Sequence, residues 1–469
     1  MKREFSGRVL ILGCGAVSQC FQHLFARHIG ISYDRVTLID PQPPHELLEL
    51  LKRGAHYLQE RITSANFKQI FSQYVSQGDI IIDLAVDIST IDTIDWCQKN
   101  DVMYINTAVE LWPEELEQAL KSLQKTLYER HSTISKKRKE WHGSTAVVEH
   151  GANPGLVSHW TKQALREIAH ELLSTHTSSH TKKIEQALVN NNFPELAQML
   201  GVRIIHISER DTQLTNKPKK VNEFVNTWSV IGLHEEAIAP AEIGWGTHEV
   251  AKAGHHTLYF NEHKTYVHLD SMGMHTWAHS WIPAGHIIGM IVRHGEVLSI
   301  SNYLSVWNNN HTLAYRPTVH YVYLPSDSTC ASLHELSMND YILQHNKRIL
   351  TDEIIGGSDE LGVLLLGHEL NGWWTGSSLS IEQTREIAPH QNATTMQVAA
   401  SVLGALFWMI KNPRKGFCFP DDLPYDEILT VAEPYLGTLI SQRTDWAPYD
   451  KKHTKELNFN DFLVRYSVF

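Results

Sequence analysis

Three stretches of the chain concentrate Glu, Asp and Trp among small residues: HISERDTQ (206–213), NTWSVIGLHEEAIAPAEIGWGTHE (226–249) and GSDELGVLLLGHELNGWW (357–374). Carboxylates beside an aromatic ring stabilise a cation twice, by ion pairing and through the ring face, so these residue types suit an ammonium group. Surface charges paired across a sheet give the same composition, and the residue types alone leave that reading open. A second chemistry is written near the N-terminus. Gly13-Cys14-Gly15-Ala16-Val17-Ser18 follows the apolar run RVLIL and precedes the helical pattern QCFQHLFARHI. Glycines at the first and third positions let a backbone approach a pyrophosphate at a helix N-terminus, and Ser18 is small enough to replace the third glycine. Asp40 ends the next apolar run, VTLID, 22 residues after Ser18. An acid there binds the adenosine ribose hydroxyls and repels a 2′-phosphate, which favours NAD over NADP.

These groups need a frame. Residues 8–12, 36–40, 79–84 and 102–108 read as strands that alternate with helical patterns, so the first part is a doubly wound parallel sheet of Rossmann type. Asp87 and Ser89, then Asn106 and Thr107, end later strands, where ligands bind in such sheets. Loop capping is as natural a role for those four. Residues 113–141 are charged and helical in character, and Gly151, Pro154 and Gly155 mark the exit from this domain. From about 200 to 330, short β-rich runs (RIIHIS, NTWSVIG, HTLYF, TYVHL, HIIGMIV, VHYVYL) indicate a second, α+β domain with a mostly antiparallel sheet. The expected division is 1–152 for the dinucleotide domain, completed by helices from about 390–425. Residues 153–390 form the second domain and 426–469 a C-terminal segment. The apolar stretch 394–411 reads as a helix buried between elements, too short and interrupted to span a membrane.

Composition narrows the function classes. The chain has 469 residues, 42% apolar and 20% charged, enough to bury a core without disulfides. Its five cysteines are scattered and form no CxxC, so a reduced, cytoplasmic compartment is expected. The apolar run of MKREFSGRVLILG is about five residues, too short for a signal peptide, and an untargeted soluble protein is expected. A net charge of −11 opposes a nucleic-acid surface, and the basic cluster SKKRKEW (135–141) reads as a solvated helix face. The 29 histidines include no HExxH, and adjacent His255 and His256 diverge on any regular element, so no metal is expected.

The acidic strings, in this order behind GCGAVS, resemble the bacterial-type homospermidine synthases. The likeness covers essentially the whole chain, through HGANPGLVS, ISERDTQ, NTWSV, PAEIGWGTHE, DELGVLLLGH and QNATTMQVA. It implies a homodimer with tightly held NAD that joins two putrescines into homospermidine and releases ammonia. A transient oxidation gives an imine, and the same bound cofactor reduces the resulting Schiff base. Carried over by position, Trp228 is the cation–π residue for the diamine, and Glu209 and Glu236 hold an ammonium. Asp359 and Glu110 line the acidic site, Asn153 contacts substrate, and His294 lies near the reacting amine. Glu235 is the alternative to Glu236. One amine must be neutral to lose a hydride while the other stays an ammonium, and His294, with an unperturbed pKa of about 6.5, is the natural proton shuttle. The rival on the same scaffold is a carboxynorspermidine- or saccharopine-type dehydrogenase with net redox. Its carboxylated substrates need an arginine, for which Arg210 and Arg293 are the nearby candidates.

Overall fold

The computed structural model describes residues 2–44, 48–115, 126–175, 180–252, 254, 256–448 and 456–464. His255 and residues 116–125 of the expected charged helix lie outside the described residues; Leu127–Lys137 is helical. The chain divides into two units, Met1–Leu156 with Glu382–Leu436, and Val157–Ile381 with Gly437–Phe469. Residues 426–469, expected as one segment, are thus shared: Tyr425–Ala432 is a helix of the first unit, whereas Thr438–Thr444 adds an edge strand to the sheet of the second.

In the first unit, short runs of Val, Ile and Leu form central strands buried on both faces, with the partly exposed His56–Gln59 at one edge. Among the described residues they make a seven-stranded sheet, ordered His56–Gln59, Val36–Asp40, Val9–Leu12, Ile80–Asp83, Met103–Asn106, Ala146–Val147 and Phe417–Cys418. Every pairing is parallel. The chain works outward from Val9–Leu12 in one direction and then in the other, which leaves a crevice beyond the carboxyl ends of Val9–Leu12 and Ile80–Asp83. Helix Ala393–Lys411 packs in this unit against Ala16–His28 and Tyr425–Ala432. At 19 residues it is long and apolar enough by composition to cross a membrane, contrary to the expectation that it is too short. However, 89% of its apolar window is buried in the protein.

The second unit holds a ten-stranded sheet among the described residues. Its centre is Ile204–Asp211, paired in parallel with Thr318–Leu324 and antiparallel with Ser358–His368. The remaining pairings of this sheet are antiparallel. Alternation along a strand sends Glu209, Asp211, Tyr321, Tyr323 and Asp359 to one face and His206, His320 and Val322 to the other. NTWSVIG does not form the expected β run. The strand Glu223–Asn226 ends, the Ser229 side chain accepts from the Gly232 N–H at 3.1 Å, and this cap starts helix Val230–Ile238.

Candidate active site

The glycine loop of the first unit has the geometry of an anion cradle. Gly13 has φ +85°, and a Cβ there would meet the Leu84 carbonyl oxygen at 2.8 Å, so both conformation and space require glycine. Gly15 is exposed, and a Cβ on it would meet nothing within 4 Å. It caps helix Ala16–His28, which carries no side-chain cap and no acid in its first turn. The first N–H groups of that helix therefore lack an intrahelical acceptor and suit a phosphate. Ala16 and Val17 are half-buried in this turn, while Ser18 is fully buried. Asp40 accepts the Cys14 N–H at 2.7 Å on one carboxylate oxygen and the Gln42 N–H at 2.8 Å on the other. It thus ties the loop to the strand end, and each oxygen retains a lone pair for a ribose hydroxyl. An adenine dinucleotide fits these residues.

The later strand ends differ from one another. Asp87 is half-buried in a left-handed conformation, φ +67°. Ser89 caps helix Thr90–Lys99 by accepting from the Asp92 N–H at 3.4 Å. Asn106, expected at the cofactor, is a structural crosslink. Its amide donates to Thr90 Oγ1 at 3.1 Å, the Tyr104 hydroxyl at 3.1 Å and the Ala108 carbonyl at 2.7 Å, and its oxygen accepts the Glu149 N–H at 2.9 Å. Thr107, next to it, is half-buried. Glu110 donates its N–H to Thr90 Oγ1 at 2.9 Å, and Asn153 is half-buried in the Gly151–Gly155 turn.

The second unit gathers the other expected residues on one face of its sheet. His294 stands between two carboxylates: its Nε2 is 3.1 Å from Glu236 and its Nδ1 is 3.2 Å from Glu296. Burial alone would lower the His294 pKa, but the two carboxylates outweigh it and hold the ring well above its ordinary value, as an imidazolium. Two flanking carboxylates favour the charged ring, which differs from the expected free shuttle titrating near pH 6.5. Burial raises the Glu236 pKa and the His294 charge opposes that rise. Its Oε2 is buried and makes no hydrogen bond among the described residues. Glu235 is bound to Arg293, so the two neighbouring acids have different partners.

The His294 ring lies against Tyr321, with centroids 4.6 Å apart, and Tyr321 stacks on Tyr323 at 5.5 Å. The Tyr321 hydroxyl donates to Glu209 at 2.5 Å, and the Trp228 indole N–H donates to the Tyr323 hydroxyl at 3.3 Å. Burial and the Glu209 charge push both tyrosine pKa values up, so both stay protonated. Trp228 itself is half-buried. A Cβ on Gly232 would lie 2.8 Å from its ring, so glycine lets the first turn of the helix pack directly on the indole. Asp211 accepts from Thr227 Oγ1 at 2.7 Å and from the Gln213 N–H at 2.8 Å, and burial raises its pKa to about 6. Asp359 is fully buried and directly opposite Asp211 in the antiparallel register. Glu209, Asp211, Glu236, Glu296 and Asp359 thus outnumber the cations beside them, His294 and the paired Arg293. Such a face accepts a cation with stacked aromatic rings at hand.

Sequence reasoning missed Glu296, Asp211, Tyr321 and Tyr323. Three of these had a signal: Asp211 two residues after Glu209, and two tyrosines in alternation within VHYVYL, both patterns that put residues on one strand face. Among the described residues, no group of three or more His, Cys, Asp or Glu could hold a metal, and all five cysteines are free.

Comparison with known proteins supplies independent findings. Residues 9–147 match the saccharopine dehydrogenase NADP binding domain, and residues 151–445 match the saccharopine dehydrogenase C-terminal domain. A homospermidine synthase from Mesorhizobium japonicum is 36% identical over 96% of this chain and 93% of its own. One from Blastochloris viridis is 36% identical over 95% and 93%. The crystal structure of the Legionella pneumophila homospermidine synthase in complex with NAD superposes with a TM-score of 0.88. It has 34% identity and covers 99% of both chains.

Proposed function

The chain belongs to the homospermidine synthase family, and from that premise we propose that it condenses two putrescines into homospermidine with NAD, releasing ammonia. The observation that carries this reading is the acid-rich face of the second unit, where Glu236 offers a buried, open carboxylate oxygen beside His294, Tyr321 and Trp228. The family description names NADP for the first domain, but Asp40 at the ribose position opposes a 2′-phosphate and supports NAD.

When bound, NAD supplies reversible hydride transfer, which makes the amine-bearing carbon electrophilic and later restores it. The protein's side chains handle charge and protons. The ring of Trp228 and the carboxylate of Glu209 hold the distal ammonium. Glu236 receives the reacting amine and takes its proton, because His294 already carries one at each nitrogen. Raised by burial, Glu236 is a better base than an exposed carboxylate. Tyr321 keeps Glu209 in place through its hydroxyl, and Asp359 adds to the negative potential.

The net-redox rival lacks an arginine for a substrate carboxylate. Arg293 is occupied by Glu235, and Arg210 projects to the sheet face opposite Glu209, in register with Glu360. We further propose a homodimer that acts in the cytoplasm on diamines, without nucleic-acid or membrane partners; the net charge of −11 opposes a nucleic-acid surface, and the five free cysteines suit a reduced compartment.

Incubating the protein with putrescine and NAD⁺ is expected to yield homospermidine by mass spectrometry with no accumulating NADH absorbance. Stoichiometric NADH without homospermidine would instead establish a net dehydrogenase. The aromatic contribution is separable. Trp228→Ala should raise the KM for putrescine about 3- to 30-fold, and Trp228→Phe should retain part of the affinity because a ring face survives. Equal losses in both variants would rule out the cation–π role.

A further inference from the structure

Glu296 has no role in the reading above, yet it is fully buried against His294, the residue that faces Glu236 from the other side of its ring. It sits in the first turn of helix Gly295–Tyr303, where the helix dipole favours an anion. Both of its oxygens lie 3.2 Å from His294 Nδ1, while His294 Nε2 faces Glu236. Two carboxylates around one imidazolium leave one net negative charge, and one ammonium cancels it. Transfer of the ammonium proton to Glu236 keeps the total at zero, so no uncompensated charge is buried at either stage.

We propose that Glu296 is a positioning residue that fixes the charge of the amine subsite: by keeping His294 cationic at all working pH values, it gives the Glu236–His294–Glu296 group a constant single negative charge. This rests on the proposed diamine chemistry and deepens it. The other charged or titratable groups around His294 do not supply this function. Arg293 is neutralised by Glu235, and Tyr321 donates to Glu209. Tyr323 is stacked behind Tyr321.

Without Glu296, burial acts on His294 with one carboxylate fewer, and the ring titrates within the working range. Above that new pKa, an ionised Glu236 and a neutral histidine still carry one negative charge. Below it, Glu236 and the imidazolium sum to zero, and an arriving ammonium is uncompensated. In Glu296→Gln the KM for putrescine, expressed as a ratio to the parent enzyme, should therefore rise about tenfold per pH unit below the new pKa. The ratio cancels titration of the diamine itself. Glu296→Asp, which restores the charge, should give a flat ratio, whereas loss of packing alone would shift both variants equally at every pH.

The second readout does not depend on turnover. With ¹³C-labelled histidine, the His294 ring signal, assigned by its loss in His294→Gln, should not titrate between about pH 5.5 and 8.5 in the parent protein. It should titrate in Glu296→Gln. A His294 that titrates in the parent protein, or a pH-independent KM ratio in Glu296→Gln, overturns the proposal. If the parent enzyme forms no homospermidine, the diamine reading falls, and the histidine titration still decides the role of Glu296.

Discussion

Glu236→Gln is expected to lower kcat/KM for putrescine by about 100- to 1,000-fold, with the fold and NAD binding retained. The amide is nearly the same size, so packing changes little. What is lost is the one group placed to receive both the ammonium and its proton. With glutamine at this position, His294 and Glu296 sum to zero, and an ammonium entering the buried site has no counter-charge. Removing one partner from a buried charge cluster costs about 3–5 kcal/mol, which overlaps the roughly 2.7–4.1 kcal/mol that this loss in rate represents. Steady-state kinetics with putrescine, alongside a titration of NAD binding, would separate the effects. An acid on an exposed surface is the control: Glu140→Gln also removes one negative charge but should change kcat/KM less than about twofold. Similar losses in both variants would mean that overall charge, and not the site, governs the reaction.

The backbone part of the site was readable because its requirement is local. Gly13 and Gly15 are dictated by φ, close approach and open space within one strand–loop–helix, and Asp40 follows at the end of the next strand. Asn106 has the residue type and strand-end position of a ligand contact. However, Glu149, from another strand end, takes its oxygen, and nothing in the local sequence announces that partner. The surroundings of His294 were hidden for the same reason. A lone histidine reads as a group with an ordinary pKa, and only the fold brings Glu236 from helix Val230–Ile238 to its second nitrogen. NTWSVIG was misread because its composition matched the other β-rich runs, whereas one serine side chain supplied the cap that starts a helix. Several carried-over residues, Glu209, Asp359, Glu236 and His294 among them, lie in the acidic cluster of the second unit, but the charge state of that cluster depends on long-range pairing. The opposite face of the same sheet holds two further histidines where composition gives no warning.

Acidification from pH 7 to pH 5 should destabilise the second unit by about 4 kcal/mol through His206 and His320 alone. These two residues face each other across the central parallel strand pair, in register, with ring centroids 4.2 Å apart and neither side chain exposed. His206 Nδ1 is 2.9 Å from Ser280 Oγ, and neither His320 nitrogen has a hydrogen-bond partner among the described residues. Phe459 and Phe462 pack against the His320 ring. Burial depresses both pKa values, that of His206 well below its usual range with the His320 charge adding to the effect, and that of His320 to about 3. The folded form thus keeps both rings neutral while the unfolded chain protonates them near pH 6.5. Stability from this pair is complete above that value and falls as pH drops from about 6.5 towards 3, because the unfolded state binds the extra protons. Over the first part of that window each histidine accounts for about 2 kcal/mol, a large share of the 5–15 kcal/mol typical of a domain. Hydrogen exchange of peptides covering Ile204–Asp211 and Thr318–Leu324 reads this unit directly. Protection should drop between pH 7 and pH 5, once corrected for intrinsic exchange, and His320→Leu should remove about half of the drop. An unchanged acid response in His320→Leu would show that the buried pair does not set the acid limit.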